Sequence, residues 1–433
     1  MQTINYERIF TYIGIAAIIL LLFGLGGWYL FLRNERTAVE GEAAARGFAI
    51  GIPSFLGSRG STAANTSGDP ASPEITGNTN SAFSRLLGFG QPAALEAEIT
   101  PQTGVQSQET RAPRFWRVTS APVAGMAFSA TSSRLRYVER ASGHIFEADP
   151  FTGEVARLTN TLTPRVYEAS LGGGSSVVLR TIEDGSATTF GGTISTTTQN
   201  GLAELKVTNL GTAMGDIVSY TNSPEILMVA PTGDTAHLIR SRVDGSSPKQ
   251  LFTLPGGDFR IQLIGESILL TERAASGVPG SAFRAASTLI PLVMNVPGLT
   301  TRAQAKTEHM LYSSDDGTQL RLYTKISNAN PKEVPLATVA EKCAWAPTGT
   351  TAYCAAPQGI LPKQFLDTWY RGETHTSDVW YTVDTAAAKV GTLFRIDSSY
   401  AMDVENPSVD PTGKYIAFQN ARDKSLWVLR IAE

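Results

Sequence analysis

Apolar positions along this chain fall into three successive textures. The first is the uncharged run Ile9–Leu32, IFTYIGIAAIILLLFGLGGWYLFL. As a helix, roughly 24 residues at about 1.5 Å each span about 36 Å, enough to cross a hydrocarbon core of about 30 Å with some tilt. Tyr12, Trp28 and Tyr29 near its ends suit the headgroup level. A cleaved signal peptide has a shorter apolar core and ends at a small-residue site, whereas this run leaves through Gly27-Trp28-Tyr29 into Arg33. The pattern predicts one transmembrane helix, with residues 1–33 as an N-terminal anchor.

Residues 34–112 form the second texture. Gly57 to Ser81 reads GSRGSTAANTSGDPASPEITGNTNS, with too few large apolar side chains to offset the entropy of ordering the backbone. The expectation is a flexible, disordered linker of low complexity, broken by two apolar islands at 45–57 and 81–90. A flexible chain of about 79 residues separates its ends by about 50 Å, so such a linker holds the C-terminal region off the membrane without orienting it.

Residues 113–433 form the third texture, in which short apolar bursts alternate with tight turns. Pro231-Thr232-Gly233 precedes Thr235–Ile239, Pro347-Thr348-Gly349 precedes Thr351–Ala355, and Pro411-Thr412-Gly413 precedes Lys414–Phe418. Weaker copies precede Arg134–Val138, Ser176–Leu179, Ser267–Leu270 and His309–Tyr312. Proline sets the first corner of such a turn and glycine supplies its left-handed end. The strand after each turn is nearly continuous in small and apolar residues, which suits burial on both faces. A second, more polar hairpin comes next, as in Phe146–Leu158 and Trp380–Phe394. Seven units of about 46 residues predict an all-β fold, a β-propeller of about seven four-stranded blades. The last unit ends one strand short at Leu426–Ile431, and Phe115–Val118 resembles the missing outer strand. The ring is therefore expected to close by pairing the two. A β-sandwich or two stacked β-domains is the competing architecture.

Composition supports the β reading: charged residues are only 17%, glycines number 40, and Ser and Thr are abundant. With a net charge of −3 and no basic stripe carrying aromatics, a nucleic-acid partner is not expected. Arg33, Arg36 and Arg46 after the apolar run, against Arg8 before it, lean slightly toward a cytoplasmic domain. The two cysteines lean the other way. With a turn centred on Thr348-Gly349, Cys343 and Cys354 face each other across a hairpin, within disulfide reach. Two reduced, half-buried cysteines are the alternative. A disulfide between Cys343 and Cys354 suggests an oxidising compartment. The expected location is the cell membrane, single-pass, with the propeller outside the cytoplasm.

The units VAPTGDTAHLI, WAPTGTTAYCA and VDPTGKYIAFQNARDKSLWVL resemble TolB-type (PD40/WD40-like) propeller repeats, in which a Ser-Pro-Asp-Gly turn links the two inner strands. Pro and Gly match in three units; Thr232, Thr348 and Thr412 stand where the family has Asp, and four units lack the motif. The resemblance implies a propeller fold. Propellers of this kind serve as docking scaffolds, carbohydrate-handling modules or lids on peptidases. The whole layout resembles single-pass envelope propellers of bacteria.

Candidate chemistry is sparse. No Gly-x-Ser-x-Gly elbow is present, and His144, His237, His309 and His375 sit in no metal-binding spacing. Asp315-Asp316-Gly317-Thr318 and Gly172-Gly173-Gly174 read as turns and not as ion or phosphate loops. No catalytic residue, metal or cofactor is therefore expected. The segment Gln358–Asp378, QGILPKQFLDTWYRGETHTSD, breaks the hairpin rhythm. Its Trp369, Tyr370 and Arg371 are residue types that concentrate binding energy, and His375 and Asp378 add titratable groups. The same aromatics would also serve as a local cap on their blade. The expected function is a non-enzymatic, membrane-anchored scaffold, held through Ile9–Leu32, that binds an envelope protein or polysaccharide. The alternative is a ligand-sensing, hydrolytic or lyase propeller that uses its central channel. Asp, His and Arg directed into that channel would favour the alternative.

Overall fold

The computed structural model describes residues 111–432 apart from 184, 200, 213 and 257; the run Ile9–Leu32 and the linker up to residue 110 lie outside the described residues. The described chain forms seven four-stranded antiparallel sheets, six of them in unbroken chain order. This is the seven-bladed propeller that the repeat predicts. The innermost strands are β2 (Val123–Phe128), β6 (Val166–Leu171), β10 (Ile217–Ser219), β14 (Phe259–Ile264), β18 (Thr300–Ala303), β22 (Cys343–Trp345) and β26 (Val404–Val409). We number the blades 1 to 7 in that order. Where β2 and β6 converge, a Cβ at Gly125 would lie 1.9 Å from the carbonyl oxygen of Ala169, so only glycine fits.

The turn logic holds in detail. Gly349 and Gly413, with φ of 75° and 73°, donate their N–H groups to Ala346 and Asp410 at 2.9 and 3.0 Å. Each turn feeds a second strand sandwiched between neighbouring blades; in β27 (Tyr415–Asn420) all six residues are buried. Pro231 and Thr232 differ, because they extend their strand to a tighter turn at Gly233-Asp234. Asp316 also behaves as a turn residue. Its carboxylate accepts from the Thr318 hydroxyl and from the Thr318 and Gln319 N–H groups, which holds its pKa down to about 2.

Blade 7 is completed from the other end of the chain. β1 (Phe115–Thr119) pairs with β28 (Leu426–Arg430) in the register Phe115↔Leu429, Trp116↔Val428 and Arg117↔Trp427. Phe115 stacks on Trp427 at 4.9 Å and lies 5.5 Å from Phe394. Aromatic contacts of this kind add about 0.5–1.5 kcal/mol beyond area burial. Blades 7 and 1 then share a core that includes Val123, Leu135, Tyr137, Ala417 and Val428.

The paired cysteines are bridged. Cys343 and Cys354 are direct partners in the ladder, with Cα atoms 4.0 Å apart and a bond between their sulfurs. No helix among the described residues is long and apolar enough to cross a membrane.

Candidate functional site in the central channel

The first strand of each blade faces the axis, so polar residues in those strands converge. They enclose a cavity of about 440 Å³ whose ionisable lining is Glu168, Asp216, Arg260, Arg302, Glu341 and Glu405, with Trp369 in its wall. Behind this lining stand further charges. Arg180 donates to Glu168 at 2.9 Å and to the Met214 carbonyl at 2.9 Å, and Lys424 reaches Glu405 at 2.8 Å. Arg260 lies 3.7 Å from Glu341, and Arg273 lies 3.2 Å from the exposed Asp258. Asp216 accepts the N–H of Ile261 at 2.7 Å.

Arg302 is handled differently. Its guanidinium donates to the carbonyl of Pro407, two blades away, and forms no ion pair among the described residues. That carbonyl is placed by a bulge: the register of β26 shifts between Glu405 and Ser408, and Asn406 there adopts φ of 50°. A left-handed non-glycine residue is uncommon, with Asn the type that best tolerates it, and bulges re-aim local groups. Burial lowers the pKa of Arg302, and Glu341 only partly offsets this.

One mouth of the channel is crossed by the predicted insertion. It contains a short helix, α1 (Phe365–Tyr370). The N–H of Ser276 in blade 4 donates to Asp367 at 2.8 Å. The N–H of Leu366 donates to Asp315 of blade 5 at 3.2 Å. The Trp369 indole donates to Asp403 at the start of blade 7 at 2.9 Å. Phe365, Leu366, Trp369 and Tyr370 form one buried cluster with Ala274 and Val339. Tyr370 lies at the channel end with Arg260, Arg273 and Glu341; burial, then Glu341, raises its pKa well above the usual phenol value.

Beneath α1 lies a second charged group, sealed from solvent. Lys342 donates to Asp378 at 2.7 Å, Asp403 at 2.6 Å and Thr376 at 2.7 Å. The side chains of Lys342, Asp378 and Asp403 are all fully buried. His375 Nδ1 lies 3.0 Å from Asp403, and the Lys342 ammonium sits 5.1 Å from the centre of the Trp369 ring. Burial first, then Asp403, raises the pKa of Asp378, against the pull of Lys342.

The five residues singled out in the insertion thus part company. Trp369 and Tyr370, each 2% exposed, face inward, and Asp378 is sealed against Lys342. His375 is half-buried on Asp403, while Arg371 is exposed and paired with Glu373 at 2.8 Å. Sequence reading passed over Glu168, Arg260, Arg302, Glu341 and Lys342. The signal was available, because each lies in or beside the first strand of a repeat, where a propeller points side chains at its axis. His309 is half-buried and lies 3.1 Å from the Gly349 carbonyl. No group of three or more His, Cys, Asp or Glu among the described residues is arranged to hold a metal ion.

No family model and no curated protein sequence matches the chain. Solved propellers do resemble it. The oligogalacturonate lyase of Vibrio parahaemolyticus is 9% identical over 74% of this chain and 94% of its own, with a TM-score of 0.48. The Cps50 (Swd1) β-propeller domain of Myceliophteria thermophila is 9% identical over 73% and 100%, also at 0.48. The Pan2 WD40 domain of Neurospora crassa is 13% identical over 72% and 92%, at 0.44. Likenesses this distant carry no functional argument, and the fold rests on the sheet topology itself.

Proposed function

We propose that this chain is a ligand-binding propeller that takes a small polar molecule into its central channel. The supporting observation is the channel itself: a cavity of about 440 Å³ lined by six ionisable side chains, with α1 across one mouth. Volumes of this order suit small-molecule sites, and a few placed charges fix orientation there. The resemblance to TolB-type repeats and the run Ile9–Leu32 extend the proposal to a membrane-anchored protein of the cell envelope. Recognition, and not turnover, is the activity we assign. Small molecules retained by the purified full-length protein, identified by mass spectrometry, test this. Ala305 is an exposed residue of the channel lining, and Ala305→Trp should obstruct entry. The reading predicts a molecule enriched on the parent and lost from the variant; equal recovery from both would remove it.

A second reading, docking of an envelope protein or polysaccharide, draws on an adjoining surface that shares Leu263 and Ala305 with the channel lining. A depression of about 820 Å³ between blades 3 and 4 has half-buried Leu251, Phe252 and Leu263 in its lining, with Arg240, Lys249 and Lys306 beside them. Crosslinking from intact membranes with Lys249→Glu as the control tests it; capture unaffected by that change would argue against this groove.

A further inference from the structure

We infer that the channel ligand carries a carboxylate and that the Arg302 guanidinium is its recognition group, an inference that rests on the channel as the binding site. Other cations near the axis have a carboxylate of this chain within ion-pair distance: Arg180 with Glu168, Lys424 with Glu405, Arg260 with Glu341, and Arg273 with Asp258. Among the described residues, Arg302 has a backbone carbonyl alone. A guanidinium has five N–H donors in a rigid fork, and one carbonyl leaves most of them for another acceptor. Taking such a cation out of water without a counter-charge is costly, and the bound state of a ligand is where that cost is recovered.

Geometry on the opposite side of the contact agrees. Pro407 can accept from Arg302 because the β26 bulge turns its carbonyl toward the axis, at the expense of a left-handed Asn406. Such backbone costs persist where the surroundings enforce them, and they gather at binding sites. The carbonyl engages one terminal nitrogen of the guanidinium, and Arg302 lines the cavity. A carboxylate matches that fork with two parallel hydrogen bonds, whereas an ammonium ligand would be repelled and an amide would offer one neutral acceptor and no counter-charge. The cavity admits a molecule of sugar-acid size in addition to the carboxylate itself.

Calorimetric titration of the full-length protein with matched acid and amide pairs tests the assignment. The probes are succinate and succinamide, glucuronate and glucuronamide, and phthalate and phthalamide. At least one acid should bind about tenfold or more tightly than its amide, as expected for a charge-assisted bidentate contact. Arg302→Gln should erase that preference, and Arg302→Lys should retain part of it because the charge stays while the fork is lost. If Arg302→Gln fails to fold, the Lys variant alone decides, since an undiminished preference there contradicts bidentate recognition. Amides that bind as well as acids, both blocked by Ala305→Trp, would overturn the role of Arg302 while leaving the channel reading intact. Acid binding indifferent to Ala305→Trp would place the site elsewhere and remove both. An absence of binding by every acid would overturn the carboxylate assignment.

Discussion

Two charged clusters lie within a few residues of each other in sequence, and the protein treats them in opposite ways. Lys342 sits in a sealed site where two carboxylates and a hydroxyl take up its ammonium donors. Glu341, the preceding residue, faces the channel beside Arg260 and Tyr370, close to the incompletely paired Arg302. Both residues belong to a short 3-10 turn, Ala340–Lys342, in which successive side chains leave the axis about a third of a turn apart and so reach different surroundings. The Lys342 ammonium is saturated by the chain's own groups, although Asp378 Oδ1 has no partner among the described residues, and the cluster ties α1 to blades 6 and 7 through Asp403. The channel cluster is left open on one side and therefore has capacity for something else. Saturation, more than the presence of charge, separates a structural ion cluster from a binding one.

Both clusters presuppose a closed ring, so the largest effect should come from removing its closure. Deleting Pro113–Ser120 should abolish cooperative unfolding or yield insoluble protein, checked by calorimetry and solubility; parental melting behaviour would contradict closure by β1. Next in size, Lys342→Met leaves Asp378 and Asp403 buried without their shared cation. Breaking a buried ion cluster by removing one partner costs about 3–5 kcal/mol, readable in urea unfolding. Arg302→Gln should move that same transition by less than about 1 kcal/mol, as expected away from a saturated network. Equal losses in the two variants would erase the distinction between a saturated and an open cluster.

Reducing Cys343–Cys354 should cost about 3 kcal/mol at most by chain entropy, because the loop it closes is short. The bridge pins the hairpin just after Lys342, so reduction should weaken the sealed cluster more than carboxylate binding at Arg302. Melting with and without reductant, alongside the titration, separates the two.

The smallest effect is the pH response of the sealed cluster. Asp378 has a folded pKa raised above its ordinary value, so the folded state keeps that proton to higher pH than the unfolded chain. Its contribution to stability is therefore full below the ordinary carboxylate range and declines as pH rises through the raised value. Asp378→Asn keeps an acceptor for Lys342 and for the Val404 N–H, which now donates to Asp378 at 2.7 Å. It should flatten that decline, gaining on the parent by on the order of 1 kcal/mol as pH rises. A gain that grows as pH falls would contradict the raised pKa of Asp378.

Repeat-level features were legible because they are local. Pro-Thr-Gly turns, doubly buried second strands and the unpaired Phe115–Val118 each announce themselves within a few residues. The cysteine pairing was legible for the same reason, since one hairpin register decides it. Trp369 was ambiguous: a large aromatic in an insertion serves a surface or a plug, and only the placement of Ala274, Val339 and Asp403 around it determines which. The channel charges needed still more. Glu168 and Arg302 are far apart in sequence and acquire a shared meaning only after seven first strands are arranged about one axis. Even then, which charges are saturated depends on side-chain reach and on a bulge at Asn406 that no repeat pattern encodes.

The way the ring closes also determines how it responds to tension. Among the described residues β1 lies at the rim of blade 7 and pairs along one edge with β28, while Phe115, Trp116 and Val118 pack against neighbouring core clusters. The chain before residue 111 therefore joins the propeller at the strand that closes its ring. A pull on the N-terminal segment loads the bond from the Ala112 N–H to the Phe151 carbonyl first, and the ladder from Phe115 and Trp116 to Leu429 and Val428 can then open one rung at a time. The seam that completes the propeller is thus its mechanical fuse, and under force the ring should open there before any other blade yields.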